Sequence, residues 1–591
     1  LPHWRGMLRL WAIPREPHRL SRPNELAKEE KMKRKMRGKI IPLGLLVVVL
    51  LLPSCVVGSA SGFTRCQLDA DTQGVMETIN NIVNTAIVSN DPNPYKAEYE
   101  AGFIQGKLQR EQIVAARDNS WDSAYLLNPA HAYPKQIPPS KDELALAEKT
   151  LQLNWDYTLA YMGRQSTSEV GKNLRRLVYR LVGIYHGAIQ DQPAALAFDD
   201  SWLPQFSPAE MTVGYETPSL TFLDLYFVNA YQDILYVLPD FASQVVTLPS
   251  KGTTVAQRPP DVVSGDRPSK CSAFVVRTAD DIFLAHNNWN SFLDQSQALT
   301  LWINGDYLAT NLGGPGYLCS DVDFGYNNKG IIFNETTHRY SYTEPQVKSL
   351  WMFWRAALAE QFAASLDQFF AYISLELSGT YLNGYMVVDA KTKEIGLVEM
   401  SYKGFVFYQP DGRGGIAVTT KPAGLNLSYD ERMVQPDVLL GINYPASYQI
   451  REDLKSEDNR PARLRQLLAM IGSVKDIESA KALITYTDPA NPLSIYGRWD
   501  LGYGDTPAPK TIPDGAVDAK AISVSMVQQA FQLKGVLDTN SPVKTFWMKF
   551  GTAIIDGKPF IWSESPWKGW KLRCVPDRVD GIFTLLNAYI R

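Results

Sequence analysis

One cysteine, at the junction between an irregular segment and a strand, has the sequence context of a covalent nucleophile. Residues 251–270 read KGTTVAQRPPDVVSGDRPSK, and their prolines, glycines and lack of periodicity predict an exposed, cleavable linker. Cys271 then opens the strand CSAFVV. If the bond between Lys270 and Cys271 is cut, Cys271 carries a thiol and an α-amine, and an amine with an ordinary pKa of about 7.7–8.0 can act as general base for its own nucleophile. The pattern predicts acyl transfer by an N-terminal cysteine; the alternative is that Cys271 is only a small buried strand residue.

A β-hairpin brings a histidine into the same region. Residues 271–286 contain two strand-like runs around a turn signal at residues 279–281. In one register Cys271 lies opposite Asn288, and His286 lies on the same face as Cys271. A slip of one residue turns His286 to the other face, because the side-chain period of a strand is two. The register therefore decides whether His286 can reach the thiol, and packing on the outer face is its alternative role.

The remaining sequence divides into a mainly helical part and a strand-rich part. Helical spacing of apolar residues predicts helices at residues 72–89, 99–119, 141–190, 347–372, 460–471 and 477–484. Short apolar runs predict strands at residues 271–278, 282–286, 299–303, 307–311, 330–333, 385–388, 395–400 and 404–408. Small residues in the second helix indicate close approach of another element. This order of elements is typical of the α+β class, with sheets inside and helices outside.

Charge separates a leader from the body of the protein. Residues 1–60 carry twelve basic and four acidic side chains, so a whole-chain net charge of −3 leaves −11 for the other 531 residues. An acidic body without lysine and arginine clusters argues against nucleic acid as a partner. Within the leader, residues 32–60 combine a basic run, thirteen uncharged residues and small residues near the end, which is typical of a secretory signal cleaved near residue 60. An uncleaved anchor is the alternative.

These observations predict four segments. Residues 1–60 are the leader, residues 61–250 an N-terminal, mainly helical part, residues 251–270 the cleaved linker and residues 271–591 the C-terminal part with the nucleophile. We expect residues 61–250 and 271–591 to form one folded unit.

The other sequence features concern disulfides, glycosylation and cofactors. If Cys271 is reserved for chemistry, Cys66, Cys319 and Cys574 allow at most one disulfide in an exported protein. Glycosylation sequons begin at Asn334 and Asn426. The sequence contains no Cys/His group at zinc-ligand spacing and no nucleotide-binding motif, so we expect no metal and no cofactor. Nothing in it indicates a stable protein partner or an oligomeric state.

Four short motifs in the second part carry a wider pattern. They are Cys271-Ser272-Ala273 followed by Ala285-His286-Asn287-Asn288-Trp289; Gly316-Tyr317-Leu318 with Ser320-Asp321-Val322-Asp323-Phe324; SGTYLNGYMVVD at residues 378–389; and Gly497-Arg498-Trp499-Asp500-Leu501 with GAVDAK at residues 515–520. In these residues and this order the chain resembles the phospholipase B-like family of the N-terminal nucleophile hydrolases, in pieces from about residue 99 onwards.

The resemblance implies a fold and two further site residues. The fold would be an αββα four-layer sandwich, two antiparallel sheets between helix layers, activated by cleavage just before Cys271. His286 would be the second active-site residue, orienting the thiol or the amine. Asn383 is the expected oxyanion-hole donor, because an amide aimed at the developing oxyanion contributes roughly 2.7–4 kcal/mol in comparable enzymes. The family commonly has Asn-Asn where this chain has Leu382-Asn383, so one candidate donor is absent, and a turn residue is the alternative role of Asn383.

Other residues are expected around the pocket. Arg498 would hold a substrate carboxylate or phosphate, or equally would pair with an aspartate and brace the site. Trp289 would form a pocket wall, and Thr336 and Thr337 would line the site.

The expected function is that of an exported, autoprocessed cysteine hydrolase that releases fatty acyl groups from phospholipid esters, in a secreted, periplasmic or lysosomal setting. An amidase or acyltransferase acting on a linear amide is the alternative within the enzyme class. The alternative outside it is a catalytically inactive, secreted lipid-binding protein, which an uncut linker would favour.

Overall fold

The computed structural model describes residues 58–60, 62–123, 136, 138–245, 271–294, 298–304, 307–320, 323–458, 461–488, 494–496, 514–533, 535–551 and 559–590. The leader up to residue 57, the predicted linker with Lys270, and Arg498 lie outside these residues. The described chain is mixed α+β, as the order of sequence patterns predicts.

In chain order the strands are β1 (Gly58–Ala60), β2 (Phe63–Gln67), β3 (Thr72–Ile79), β4 (Ile82–Ser89), β5 (Cys271–Arg277), β6 (Ile282–Ser291), β7 (Ala298–Asn304), β8 (Tyr307–Gly313), β9 (Phe324–Tyr326), β10 (Ile331–Thr337), β11 (Asn383–Asp389), β12 (Glu394–Met400), β13 (Phe405–Pro410), β14 (Ile416–Lys421), β15 (Val438–Gly441), β16 (Asp514–Ser523), β17 (Val543–Phe550), β18 (Phe560–Ile561), β19 (Arg578–Val579) and β20 (Phe583–Ala588). The α-helices are α1 (Pro94–Ser123), α2 (Lys141–Arg164), α3 (Glu169–Ile189), α4 (Phe222–Val245), α5 (Met352–Phe362), α6 (Leu366–Ile373), α7 (Tyr448–Leu454), α8 (Pro461–Met470), α9 (Ile477–Ile484) and α10 (Val524–Val527).

Three six-stranded sheets organise the described chain. The first has the order β1-β2-β3-β4-β7-β8, the second β15-β5-β6-β16-β17-β20 and the third β14-β13-β12-β11-β10-β9. In the first sheet β4 and β7 run parallel, whereas the second and third sheets are antiparallel throughout. The first sheet therefore joins strands from both sides of the predicted linker.

The helix predicted at residues 72–89 is wrong, because this segment forms the hairpin β3–β4. Asn80 and Asn81 connect the two strands with φ values of 47° and 68°. This left-handed pair is the conformation that a two-residue hairpin turn requires and that asparagine tolerates. The flanking residues are rich in Val, Ile and Thr, which favour strands.

The other predicted helices of the first part are confirmed, with one interruption. Residues 141–190 form α2 and α3, and the side chain of Ser168 starts α3 by accepting a hydrogen bond from Gly171 N. Helices α1 and α3 pack with their backbones in contact, since a Cβ added to Gly102 would lie 2.2 Å from the Arg180 carbonyl oxygen. The small residues of α1 thus permit the close approach that the sequence indicates.

The single helix predicted at residues 347–372 is two helices, α5 and α6. Ala363 has an extended backbone, with a ψ of 136°, and ends α5. Ser365 starts α6 by accepting a hydrogen bond from Gln368 N. The break lets α6 lie on the third sheet, where the rings of Phe370 and Phe407 have centroids 5.4 Å apart.

The second and third sheets contact each other directly. Asn334 of β10 donates to the backbone oxygens of Phe274 and Ala285, at 3.2 Å each. On the second sheet, Asn287 Nδ2 donates to the Ile484 carbonyl at the end of α9 at 2.8 Å. The sequon at Asn334 is therefore inaccessible in the folded protein, whereas Asn426 is exposed.

Buried apolar side chains form one large cluster that draws on both parts of the chain. Val75 and Leu181 from the first part and Phe274 and Val388 from the second belong to it. Outside this cluster, Cys66 forms a disulfide and Cys574 carries an exposed thiol.

Candidate active site

The pairing of β5 with β6 gives the first of the two registers considered. Cys271 lies opposite Asn288, and Ala273 lies opposite His286. Because side chains alternate along a strand, His286 and Asn288 share the face of Cys271. The Cys271 thiol donates to Asn288 Oδ1 at 3.5 Å. The hairpin thus brings together the cysteine and the histidine selected from the sequence.

A third side chain, that of Asp323, completes a buried cluster with Cys271 and His286. The Cys271 Sγ, a ring nitrogen of His286 and a carboxylate oxygen of Asp323 all lie within 4.8 Å of one another. Asp323 directly precedes β9 with a φ of 64°, and its Oδ1 accepts a hydrogen bond from the Tyr381 hydroxyl at 3.1 Å. Among the described residues, neither ring nitrogen of His286 makes a hydrogen bond of good geometry, although the ring interacts with the backbone of Glu335. The imidazole is therefore held beside the thiol while the hydrogen-bonding capacity of its ring nitrogens is largely unused.

A second set of contacts holds the main chain of Cys271. Its nitrogen donates to Asn443 Oδ1 at 2.6 Å. Arg463 Nη1 donates to the Cys271 carbonyl and, at 2.8 Å, to the same Asn443 oxygen. Asn443 has a φ of 63°, and its Nδ2 donates to the Thr337 carbonyl at 2.6 Å. The nitrogen that cleavage would convert to an α-amine thus faces a fixed amide oxygen.

A buried ion pair on β16 borders the hairpin. Lys520 and Asp518 are both wholly buried and in contact through Nζ and Oδ1. Asn288 N donates to Asp518 Oδ1 at 3.2 Å, and Lys520 lies opposite His286 in the strand register. The positive charge next to His286 is therefore already paired with a carboxylate.

Burial shifts the pKa values of His286 and Glu335 in opposite directions. Burial, followed by the charge of Lys520, lowers the pKa of His286 well below its ordinary value. Burial, followed by the neighbouring Asp323, raises the pKa of Glu335 well above the ordinary value of a glutamate. The lowered pKa favours the uncharged imidazole of His286, and the raised pKa favours the protonated form of Glu335. His286 is thus suited to orient a neighbour by hydrogen bonding and is a weak base.

Asn383 opens β11 directly opposite Thr337 of β10. Its side chain is wholly buried, and neither atom of its amide has a hydrogen-bond partner among the described residues. The carbonyl of Thr337 accepts from Asn443, so Asn383 is connected to Cys271 through one strand pair and one side chain. A buried amide without partners is a feature expected of a group that binds a substrate atom.

Thr336 and Trp289 lie near the two strands that flank β5: Thr336 contacts β15, and Trp289 belongs to β6. A Cβ added to Gly441 would lie 2.9 Å from Thr336 Oγ1, so Thr336 contacts β15, the neighbour of β5. Trp289 is buried on β6, and strand alternation gives it the opposite face from Asn288.

Sequence reasoning did not select Asp323, Asn443 or Arg463. A signal existed for Asp323, which lies in the second of the four resembling motifs, and the strained αL position would also suit a functional residue. Asn443 and Arg463 carry no local signal, because each reaches Cys271 only through tertiary contacts. Arg498 and Lys270 lie outside the described residues.

Comparison with known proteins identifies relatives along most of the chain. A family profile described as Phospholipase B matches residues 207–406. Phospholipase-B 81 of Drysdalia coronoides is 22% identical over 531 residues, which cover 85% of this chain and 86% of that protein. Phospholipase B-like protein B of Dictyostelium discoideum is 23% identical over 507 residues, covering 79% of this chain and 76% of that protein.

A mammalian relative matches over a shorter span. Phospholipase B-like 1 of Rattus norvegicus is 23% identical over 382 residues, which cover 58% of this chain and 64% of that protein, slightly less than two thirds of its length. Within the described residues, no helix has both the length and the apolar character of a membrane span. The profile and the relatives agree with the motifs around Cys271 and support the phospholipase B-like family as the group of proteins to which this chain is similar.

Proposed function

We propose that this protein is an exported N-terminal nucleophile hydrolase, in which cleavage between Lys270 and Cys271 produces a catalytic cysteine with a free α-amine. The observation that carries the proposal is the environment of Cys271. Its nitrogen donates to Asn443 Oδ1 at 2.6 Å, while its sulfur lies within 4.8 Å of both His286 and Asp323. The nitrogen and the sulfur of Cys271, the two atoms that such a mechanism uses, thus both lie next to defined polar side chains.

The proposed fold is the four-layer αββα sandwich of this hydrolase class. Helix α9 packs on the second sheet through Asn287, and α6 packs on the third sheet through Phe370. The two sheets are joined directly by Asn334. These contacts support a helix–sheet–sheet–helix order with Cys271 at the start of a strand of one inner sheet.

The reaction then follows from the chemistry of the thiol and the amine. The α-amine takes the thiol proton, and the thiolate attacks the acyl carbonyl, forming a C–S bond. The amide of Asn383 stabilises the oxyanion, and collapse of the tetrahedral intermediate breaks the acyl–oxygen bond. The ammonium returns its proton to the leaving alcohol. A water molecule, deprotonated by the same amine, hydrolyses the thioester and releases the carboxylic acid.

The remaining residues act around these atoms. The neutral imidazole of His286 orients the thiol or the amine, and Asn443 and Arg463 hold the nitrogen and carbonyl of Cys271. Thr336 lines the side of the site next to β15. The substrate we propose is a fatty acyl ester of a phospholipid, the class that the relatives' names describe.

The test combines protein chemistry with turnover. Purified protein should show two bands on a denaturing gel, one with the N-terminal sequence CSAFVV, and should release fatty acid from a phospholipid ester. Cys271→Ala should abolish both cleavage and hydrolysis, whereas Cys574→Ser, which changes an exposed thiol, should change neither. An uncut chain without acyl-enzyme formation on a thiol-directed lipid probe would contradict the proposal. Faster cleavage of an N-acyl amide than of the ester would replace the substrate class and leave the mechanism in place.

A further inference from the structure

The cluster of Cys271, His286 and Asp323 contains one donor atom of each kind that a transition metal prefers. It offers a thiol sulfur, an imidazole nitrogen and a carboxylate oxygen, all mutually within 4.8 Å. All three residues are buried. They come from β5, β6 and the segment before β9, so the grouping arises from the fold, and the sequence spacing gives no sign of it.

His286 supplies an independent observation. It is completely buried, and among the described residues neither of its ring nitrogens makes a hydrogen bond of good geometry; the backbone of Glu335 is only a weak partner. A buried polar atom with only a weak partner loses its hydration without full compensation, which is unfavourable. Binding of a cation by the imidazole would remove this cost, because a neutral ring nitrogen is a good metal ligand.

The charge balance of the site also favours a cation. Asp323 interacts directly with the buried carboxyl group of Glu335. Two carboxyl groups therefore share a region with little compensating charge, because the nearby Lys520 already contacts Asp518. A divalent ion would compensate the thiolate and the Asp323 carboxylate together.

The donor set selects among metals. Sulfur and imidazole ligands suit zinc, whereas calcium and magnesium prefer sites made of oxygen atoms. Three protein ligands leave one position of a tetrahedral zinc ion for water, the arrangement of open zinc sites.

We propose that Cys271, His286 and Asp323 form a zinc site, and that zinc bound there blocks the catalytic thiol. On binding, the Cys271 S–H bond breaks, its proton leaves to solvent, and a Zn–S bond forms without any change of oxidation state. The site itself depends only on the three side chains; the blocking of catalysis rests on the function proposed above. Zinc would act as a reversible inhibitor that holds the sulfur away from acyl groups.

Binding can be measured without reference to activity. Cobalt(II) reports a zinc site through a sulfur-to-cobalt charge-transfer band and intense visible bands of tetrahedral coordination. The full-length protein should carry Cys574→Ser, so that the exposed thiol does not contribute. One equivalent of cobalt should produce these bands, and one equivalent of zinc should remove them.

Two variants test the ligands, and a third is the matched control. Asp323→Asn keeps the size of the side chain, and asparagine tolerates the φ of 64° at this position. We expect Asp323→Asn and, separately, His286→Gln to weaken zinc binding by at least about 10- to 100-fold, the loss that follows even from changing a residue that only hydrogen-bonds to a metal ligand. Asp411→Asn removes a carboxylate from an exposed turn and should bind zinc like the parent. Thermal melting of each variant without metal establishes that it is folded.

The outcomes separate this inference from the proposed function. Absence of the charge-transfer band in the parent, or an unchanged band in both ligand variants, would overturn the zinc site. A protein that binds zinc at this site but hydrolyses no ester or amide would keep the site and contradict the hydrolase. If the enzyme is active, saturating zinc should remove activity in the parent and in Asp411→Asn, and a chelator should restore it. Full activity with zinc bound would overturn the blocking role.

Discussion

At the scale of single residues, Asn443 connects three parts of the site through one side chain. Its Oδ1 accepts hydrogen bonds from Cys271 N and from Arg463, and its Nδ2 donates to Thr337. The φ of 63° explains why asparagine fits this position, since asparagine and glycine tolerate the left-handed conformation. In the proposed mechanism the same oxygen would fix the α-amine that serves as the base.

Replacing Asn443 tests this positioning role. Asn443→Gly keeps the backbone conformation and removes the acceptor, so we expect a fall in kcat of about 100-fold, the lower end of what general-base catalysis contributes. Loss of an acceptor for the ammonium also lowers the pKa of the amine, so the acidic limb of the pH profile should move to lower pH. Asn443→Asp adds a negative charge at the same place and should move that limb to higher pH.

The opposite signs of these two shifts separate positioning from a merely structural role. Kinetics measured from acidic to mildly alkaline pH give the limb for the parent and both variants. If both variants lose activity by the same factor at every pH, Asn443 only supports the fold and the proposed base is wrong.

Only part of the site could be read from the sequence. Cys271 follows a segment rich in proline and glycine, which suggested a nucleophile, whereas His286 was selected through the family resemblance and the hairpin register then determined its face. Asn443 and Arg463 lie far along the chain from Cys271, and their contacts depend on how β15 and α8 pack against β5. No pairwise spacing encodes such packing.

At the scale of elements, two helices are joined through glycine. Gly102 and Gly106 on α1 face Gly183 and Gly187 on α3, and each lies against backbone atoms of the other helix. A Cβ added to Gly106 would lie 2.0 Å from the Ile184 carbonyl oxygen. Because the obstacle is backbone, neither helix can relieve the clash by a rotamer change.

Gly106→Ala should therefore destabilise the protein in spite of the higher helix propensity of alanine. Overpacking of this kind costs about 1–3 kcal/mol or more. Gly163→Ala is the matched control: it also lies in a helix, and an added Cβ there meets nothing within 4 Å. The control should be neutral or stabilise by up to about 1 kcal/mol. Thermal melting compares the two, and an equal or higher melting temperature for Gly106→Ala would contradict the close packing of α1 and α3.

Sequence pattern predicted part of the secondary structure and missed helix α4 and the strands β14 to β17 and β20. The hairpin β5–β6 and the predicted strands that follow it were correct because short apolar runs and turn residues agreed. At residues 72–89 the spacing of apolar residues resembled that of a helix, but the segment forms a hairpin that turns at Asn80-Asn81. The turn-forming asparagines and their β-branched neighbours were therefore a better guide to the structure than the apolar spacing. The helix breaks at Ser168 and Ser365 depend on local capping hydrogen bonds, which the spacing of apolar residues does not predict.

At the scale of the whole molecule, the first and second parts of the chain are interlocked. Strand β4 pairs with β7 in parallel from Val83–Ala298 to Ser89–Asn304. Side chains extend the contact: Asn84 Nδ2 donates to the Asn587 carbonyl at 3.0 Å, and Asn154 Nδ2 donates to the Val347 carbonyl at 2.7 Å. The shared apolar core contains residues from both parts.

Cleavage before Cys271 should therefore nick the protein without dividing it. The two fragments should elute together in gel filtration under native conditions. They should separate only when denaturant unfolds both, because fragments that share a sheet and an apolar core unfold together. High salt should not release either fragment, since backbone pairing and apolar burial hold them and salt screens only exposed charges. A sample treated with a protease that cuts within residues 251–270 provides the control for nicking without catalysis by Cys271. Elution of the two fragments as separate native species would contradict the interlocked arrangement of β4 and β7.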